Sequence, residues 1–164
     1  MKLRTKKGFT LVEIMIVVAI IGLLVAIAIP NILRARLSAN EGAAEGTMRT
    51  YITAIENFRA DQNPPTFPAT LTPLSAAAPA YLDIVLAPAG NAVTTNKSGY
   101  QFTYTPGAAV GGSINVYTLI ARPGNALGAG FGQTGNNSYF ADQSGVIRVQ
   151  AANQAPVVGD APLQ

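Results

Sequence analysis

The sequence predicts an α+β protein: one long N-terminal helix whose first half spans a membrane, and a C-terminal head of about four antiparallel strands packed on its second half. Three observations carry that expectation. Residues 9–29 are apolar or small at every position except Thr10 and Glu13. Apolar residues then recur with a helical period up to the stop at Asn63-Pro64-Pro65. Past Gly99 the pattern changes to strict alternation, with turn residues between short runs.

The apolar run comes first. As a helix rising about 1.5 Å per residue, residues 9–29 reach roughly 30 Å, the thickness of a hydrocarbon core. Lys2, Arg4, Lys6 and Lys7 precede it and would hold that end on the cytoplasmic side, placing the C-terminus outside. Pro30 would end most helices, but membrane neighbours absorb such a kink, and the helix is expected to continue. Leu33, Leu37, Ala44, Met48, Ile52 and Ile55 supply its apolar stripe, with Tyr51 and Phe58 on adjoining rows. Arg34, Ser38, Glu41, Glu45, Arg49 and Glu56 supply the polar side, with Glu45 and Arg49 in the favoured i,i+4 order. Gly42 and Gly46 weaken the helix by about 1 kcal/mol each and sit at a spacing that admits a close neighbour. A helix running to Asp61 would be roughly 80 Å long. A head of about 100 residues cannot cover such a rod, so its first half must bury itself in lipid or in other copies.

The rest reads as a head. Residues 64–98 are expected as an ordered loop with a short helix or 3₁₀ turn near residues 73–77, pinned by Leu71, Leu74, Tyr81, Leu82, Ile84, Val85 and Leu86. "GYQFTYTPG" places Tyr100, Phe102 and Tyr104 on one face and Gln101, Thr103 and Thr105 on the other. A second strand is expected over residues 114–121, stopped by Pro123-Gly124. A glycine-rich loop over residues 125–137 follows, then a hairpin of residues 138–141 and 146–149 around Asp142-Gln143-Ser144-Gly145. The result is a meander.

Composition excludes several functions. The 164 residues contain no cysteine and no histidine, which removes disulfides, thiolate chemistry, the usual transition-metal ligands and the commonest general base. Ser138 and Ser144 therefore have no histidine to activate them. The net charge of +3 is misleading: four of the eleven basic residues lie in the first seven positions, leaving seven against eight acidic ones. Beyond Asn63, Lys97, Arg122 and Arg148 face Asp83, Asp142 and Asp160, so no basic face collects nucleic-acid phosphates. "GNALGAGFGQTG" lacks the Lys-Ser/Thr of a phosphate loop and precedes no helix. No cofactor is implied.

Glu13 poses the functional question. A carboxylate towards the membrane centre costs about 2.5–3.5 kcal/mol on insertion scales and normally has a partner, yet no Lys or Arg lies within a turn inside the run. A plain anchor would merely tolerate it. A cleavable secretory signal, with Ala26-Ile27-Ala28 as its small-x-small site, would be interrupted by it. Cleavage after Gly8 would explain it, because the new α-amino group of Phe9 is a cation four residues away. That amine could pair with Glu13 of its own chain or of an axially offset copy, where a charge pair would set register.

"KKGFTLVEIMIVVAIIGLLVAIAIP" closely resembles the N-terminal signal and first helix of type IV prepilins and of type II secretion pseudopilins, through Gly8, Phe9, Thr10, Leu11, Val12 and Glu13. The resemblance implies a pilin fold and cleavage between Gly8 and Phe9 by a prepilin peptidase. It also implies N-methylation of Phe9, use of Phe9, Thr10 and Glu13 in filament assembly, and loosening of the packed helix at Gly22 and Pro30. It divides the chain into a leader (1–8), a transmembrane and assembly helix (9–29), its amphipathic continuation (30–62), a head (63–150) and a flexible tail (151–164). "GYQFTYTPG" and "FADQSGVIRV" resemble parts of pilin-like heads less specifically. Two departures matter. With no cysteine there is no C-terminal disulfide, and Asp142, beside Asn136, Asn137, Gln143 and Ser144, is a poor match to the acidic calcium loop of major pseudopilins.

The expectation is thus a non-enzymatic filament subunit. It would be inserted in a bacterial inner membrane, processed, and polymerised with itself and related pilins by inner-membrane machinery into a surface or periplasm-spanning fibre. The alternatives are a type II secretion pseudopilin and a monomeric membrane-anchored extracytoplasmic domain.

Overall fold

The computed structural model describes residues 8–87, 94–124, 134–151, 159 and 161–163. The basic leader residues, the glycine-rich loop over 125–133 and most of the tail lie outside the described residues. The chain divides into two compact units, Met1–Arg36 and Leu37–Gln164.

The first unit is helical. Helix α1 (Leu11–Asp61) begins in it and passes through Pro30 without a break, as expected. Every described residue of this unit is exposed.

In the second unit α1 supplies the inner wall of the head. Ala44, Thr47, Met48, Tyr51, Ala54 and Ile55 are buried, and their spacing of three and four residues puts them on one helical stripe. Glu45 and Arg49 form the expected pair on the outer side, at 2.7 Å. Near the helix end the Arg59 guanidinium lies 4.7 Å from the centre of the Phe67 ring, within reach of a cation–π attraction. Helix α2 (Thr72–Ala76) follows, close to its expected place.

The sheet is antiparallel. Its centre is β2 (Tyr100–Pro106), β5 (Tyr117–Pro123), β6 (Asn137–Asp142) and β7 (Arg148–Ala151), paired in that order. These are the four expected strands, with ends shifted by a few residues. Tyr100, Phe102 and Tyr104 are buried, and alternate residues of β5 (Tyr117, Leu119 and Ala121) face the same core. Ile114, expected to open the second strand, instead belongs to a small hairpin of β3 (Ala109–Val110) and β4 (Ser113–Ile114). Gly111 and Gly112 turn it with φ of 61° and 86°, a region that favours glycine.

Two strands extend the sheet. β1 (Thr94–Lys97) pairs with β2 through a turn at Ser98 and Gly99, both at positive φ, which is the twist a two-residue hairpin needs. These four residues were expected as loop. β8 (Ala161–Pro162) pairs with β7, and Leu163 packs partly buried on the core.

The loop after α2 needs one correction. Leu71, Leu74, Leu82 and Leu86 are buried as anchors, but Ile84 and Val85 are 64% and 61% exposed. The reason is a turn. The Asp83 carboxylate accepts from Val85 N at 3.0 Å, and its carbonyl accepts from Leu86 N and Ala87 N at 2.9 Å. That turn carries Leu82, Leu86 and Ala87 inward and Ile84 and Val85 outward.

Buried tyrosines are tied by their hydroxyls. Tyr51 donates to Leu86 O at 2.6 Å, Tyr104 to Pro68 O at 2.6 Å and Tyr100 to Asn137 O at 2.8 Å. Burial pushes the Tyr100, Tyr104 and Tyr117 hydroxyls well above the usual phenol range. It also pushes Tyr139 up to about 12, helped by the charges of Glu41 and Glu45.

Two outcomes follow. Tyr104→Phe strands the Pro68 carbonyl in the core and should cost about 1–3 kcal/mol, read by denaturant unfolding of the full chain in detergent. Unfolded tyrosines ionise near pH 10, whereas these four hold their protons higher. Stability complete below pH 10 should therefore be lost as pH rises from 10 through 12. Tyrosinate absorbance should climb together with loss of ellipticity rather than before it.

Candidate functional site

The start of α1 gathers the processing and assembly residues expected from the sequence. Gly8, Phe9 and Thr10 precede the first helical residue and are exposed, with open space around Gly8. The Gly8–Phe9 peptide bond therefore lies in accessible, non-helical chain. Phe9 itself is 81% exposed.

Thr10 is the helix cap. Its Oγ1 accepts from Glu13 N at 3.2 Å, and its carbonyl accepts from Ile14 N at 3.4 Å, the first turn of the helix. Glu13 follows Thr10 by three positions, the Thr-x-x-Glu spacing of a capping box. Glu13 also sits in the first turn, where the helix dipole favours a negative charge. Beside the assembly role the resemblance implies, Thr10 and Glu13 thus have a local one that their spacing alone signals.

The rest of the segment is one apolar surface. Seventeen large apolar side chains from Phe9 to Leu33 are 44–81% exposed. Gly22 has open space around it, as do Gly42 and Gly46 further along. None of these three glycines is filled by a neighbour among the described residues.

Among the described residues no three acidic side chains cluster to hold a metal. The Asp142 carboxylate is taken up by its own turn, accepting from Ser144 N at 2.8 Å and Ser144 Oγ at 2.5 Å. Ser138 is buried.

Residues 3–29 match the family model described as the prokaryotic N-terminal methylation motif. The chain therefore carries a prepilin-type N-terminus. Its relatives are type IV pilins and type II secretion pseudopilins. It is 41% identical over 61 residues to the type IV wide pilus major component of Thermus thermophilus, covering 37% of this chain and 47% of that protein. It is 42% identical over 57 residues to the type IV major pilin of Myxococcus xanthus, covering 35% and 26%. With the type II secretion system core protein G of Pseudomonas aeruginosa the match is 32% over 102 residues, covering 61% and 66%. The matches thus span between a quarter and two thirds of these relatives' lengths. No solved structure matches the chain. A match of 102 residues is longer than everything up to the end of α1 at Asp61, so the likeness to that secretion protein takes in part of the head.

Thr10→Val removes the capping oxygen and should weaken the helix start by about 0.5–2 kcal/mol. Amide exchange at residues 12–14 should speed up, while the head's protected amides stay unchanged.

Proposed function

We propose that this chain is the structural subunit of a type IV pilus-like filament. It is made as a membrane-inserted prepilin, cleaved between Gly8 and Phe9, N-methylated on Phe9, and polymerised through its N-terminal helix. A prepilin peptidase and methyltransferase act on it, inner-membrane machinery assembles it, and its partners in the fibre are copies of itself and related pilins. The chemistry belongs to those enzymes; the subunit's own work is mechanical.

One observation carries the reading: a methylation motif over residues 3–29 opens a segment, Phe9 to Leu33, whose seventeen large apolar side chains are exposed among the described residues. At about 1.5–3 kcal/mol per buried side chain, their burial is worth tens of kcal/mol. Lipid supplies that cover before assembly and neighbouring helices supply it afterwards.

A second reading has its own support. The longest of the three matches is to a type II secretion core protein, which favours a pseudopilin whose short filament serves export. Shearing separates the two: a pilus subunit pellets with long surface fibres, and a pseudopilin stays with the envelope.

Protein from native cells should begin at Phe9 and weigh one methyl group more than the cleaved chain. A start at Met1 or near Ile29 would overturn the processing. Glu13→Ala should insert in membranes normally and fail to form filaments. Glu13→Gln separates the two roles of this residue, because glutamine also serves at this capping position but carries no charge. It should keep the helix start and still lose the filament; wild-type filament yield from it would sink the charge-pairing idea.

A further inference from the structure

The exposed apolar surface of α1 does not stop at Pro30. Ile32 and Leu33 are 52% and 49% exposed, like the residues before them, and burial in the head begins only beyond Arg36. Two charges mark the ends of the uncharged stretch. Glu13 is the last charge before it and Arg34 the first after it, so residues 14–33 carry none. Those twenty residues rise about 30 Å, the hydrocarbon thickness. A span over residues 9–29 has the same length but sinks a carboxylate a full turn into the hydrocarbon. The span over 14–33 sinks instead one neutral amide, Asn31, less than a turn from its outer end. A buried charge is far costlier than an amide near the interface, so the shifted register wins. It also leaves Phe9 at the opposite interface, a level that aromatic rings tolerate well.

Arg34 and Arg36 fit the outer boundary in a particular way. Both are exposed on α1, and neither has a partner among the described residues. Two residues apart on a helix, they point about 200° from one another. A protein surface docked on one side could take only one of them. A layer that surrounds the helix takes both.

We propose that Arg34 and Arg36 form a collar binding phospholipid headgroup phosphates at the outer face of the membrane. The collar fixes the resting span at residues 14–33 and holds Glu13 in the opposite interface rather than in hydrocarbon. The inference rests on the membrane-inserted reading above. It adds that Glu13 meets apolar surroundings only when the subunit leaves this register for the filament.

The chain has no cysteine, so single substitutions give unique probes. Full-length Thr10→Cys, Val12→Cys, Ile16→Cys, Ile32→Cys and Ser38→Cys variants would be reconstituted in vesicles of phosphatidylethanolamine and phosphatidylglycerol. A membrane-impermeant maleimide loaded on both sides then reports exposure. Val12→Cys should react about as fast as Thr10→Cys, and Ile32→Cys at least tenfold slower than Ser38→Cys. Fast labelling at Ile32→Cys with protection at Val12→Cys would overturn the register. Adding Arg34→Gln and Arg36→Gln should raise labelling at Ile32→Cys or lower it at Val12→Cys, with Arg→Lys restoring both rates. Unchanged rates in the double glutamine variant would overturn the collar. Failure of the chain to float with the vesicles would instead count against membrane insertion itself.

Discussion

Everything in this molecule answers to one constraint: the apolar surface of residues 9–33 is exposed among the described residues. The head draws its core from α1 only from Ala44 onward. The preceding stretch, with its run of Ile, Leu and Val, is left to the solvent or to whatever replaces it. Monomeric soluble proteins rarely leave even a few hundred Å² of contiguous apolar surface bare. Under the proposed function, lipid and other copies of the chain supply that cover. Charge placement follows from the same constraint, since Glu13 and the Arg34–Arg36 pair stand where the uncharged stretch ends.

The head is built on the opposite rule. Its inner face is closed by aromatic side chains at close quarters, such as Phe67 against Tyr117 at 4.8 Å between ring centres and Tyr51 against Phe102 at 5.6 Å. Loop carbonyls that would otherwise be stranded take hydroxyl protons from Tyr51 and Tyr104. The start of β6 is fastened to α1 in the same fashion. Asn40 Nδ2 donates to Thr134 O at 2.9 Å, and Glu41 Oε1 accepts from Asn136 N at 2.6 Å. This network does without disulfides because side-chain hydrogen bonds, rather than covalent bridges, hold the loops to the sheet and helix.

What the sequence disclosed depends on where side-chain pattern determines structure. The stripe from Ala44 to Ile55, the alternation of Tyr100, Phe102 and Tyr104, and the order of the four central strands were all legible, because each buries a regular apolar face. The strand β1 was not, since Thr-Thr-Asn-Lys has no apolar alternation and is held by backbone pairing beyond a tight turn. β8 is two residues long and has no pattern to show. Ile84 and Val85 misled because hydrophobicity alone does not reveal that Asp83 folds the chain back beneath them. At the N-terminus the resemblance drew the eye to Glu13 as a charge, while the plainer capping signal from Thr10 went unread. Local hydrogen bonding and long-range charge are written in the same two residues.

That double use bears on why cleavage and assembly belong together in the proposed cycle. In that cycle, before processing, Lys2, Arg4, Lys6 and Lys7 would be held on the cytoplasmic side of the span. Moving one charge through a membrane potential involves about 2.3 kcal/mol per 100 mV, so drawing the intact leader outward would cost about 9 kcal/mol per 100 mV for those four charges. The proposed cleavage would remove all four at once. What remains at that end is the Phe9 amine and the Glu13 carboxylate, a pair with no net charge, on a helix already capped by Thr10. A segment so neutralised can leave the bilayer without working against the field. In the proposed cycle Glu13 would thus be useful before any partner is met, because it would cancel the one charge that processing creates.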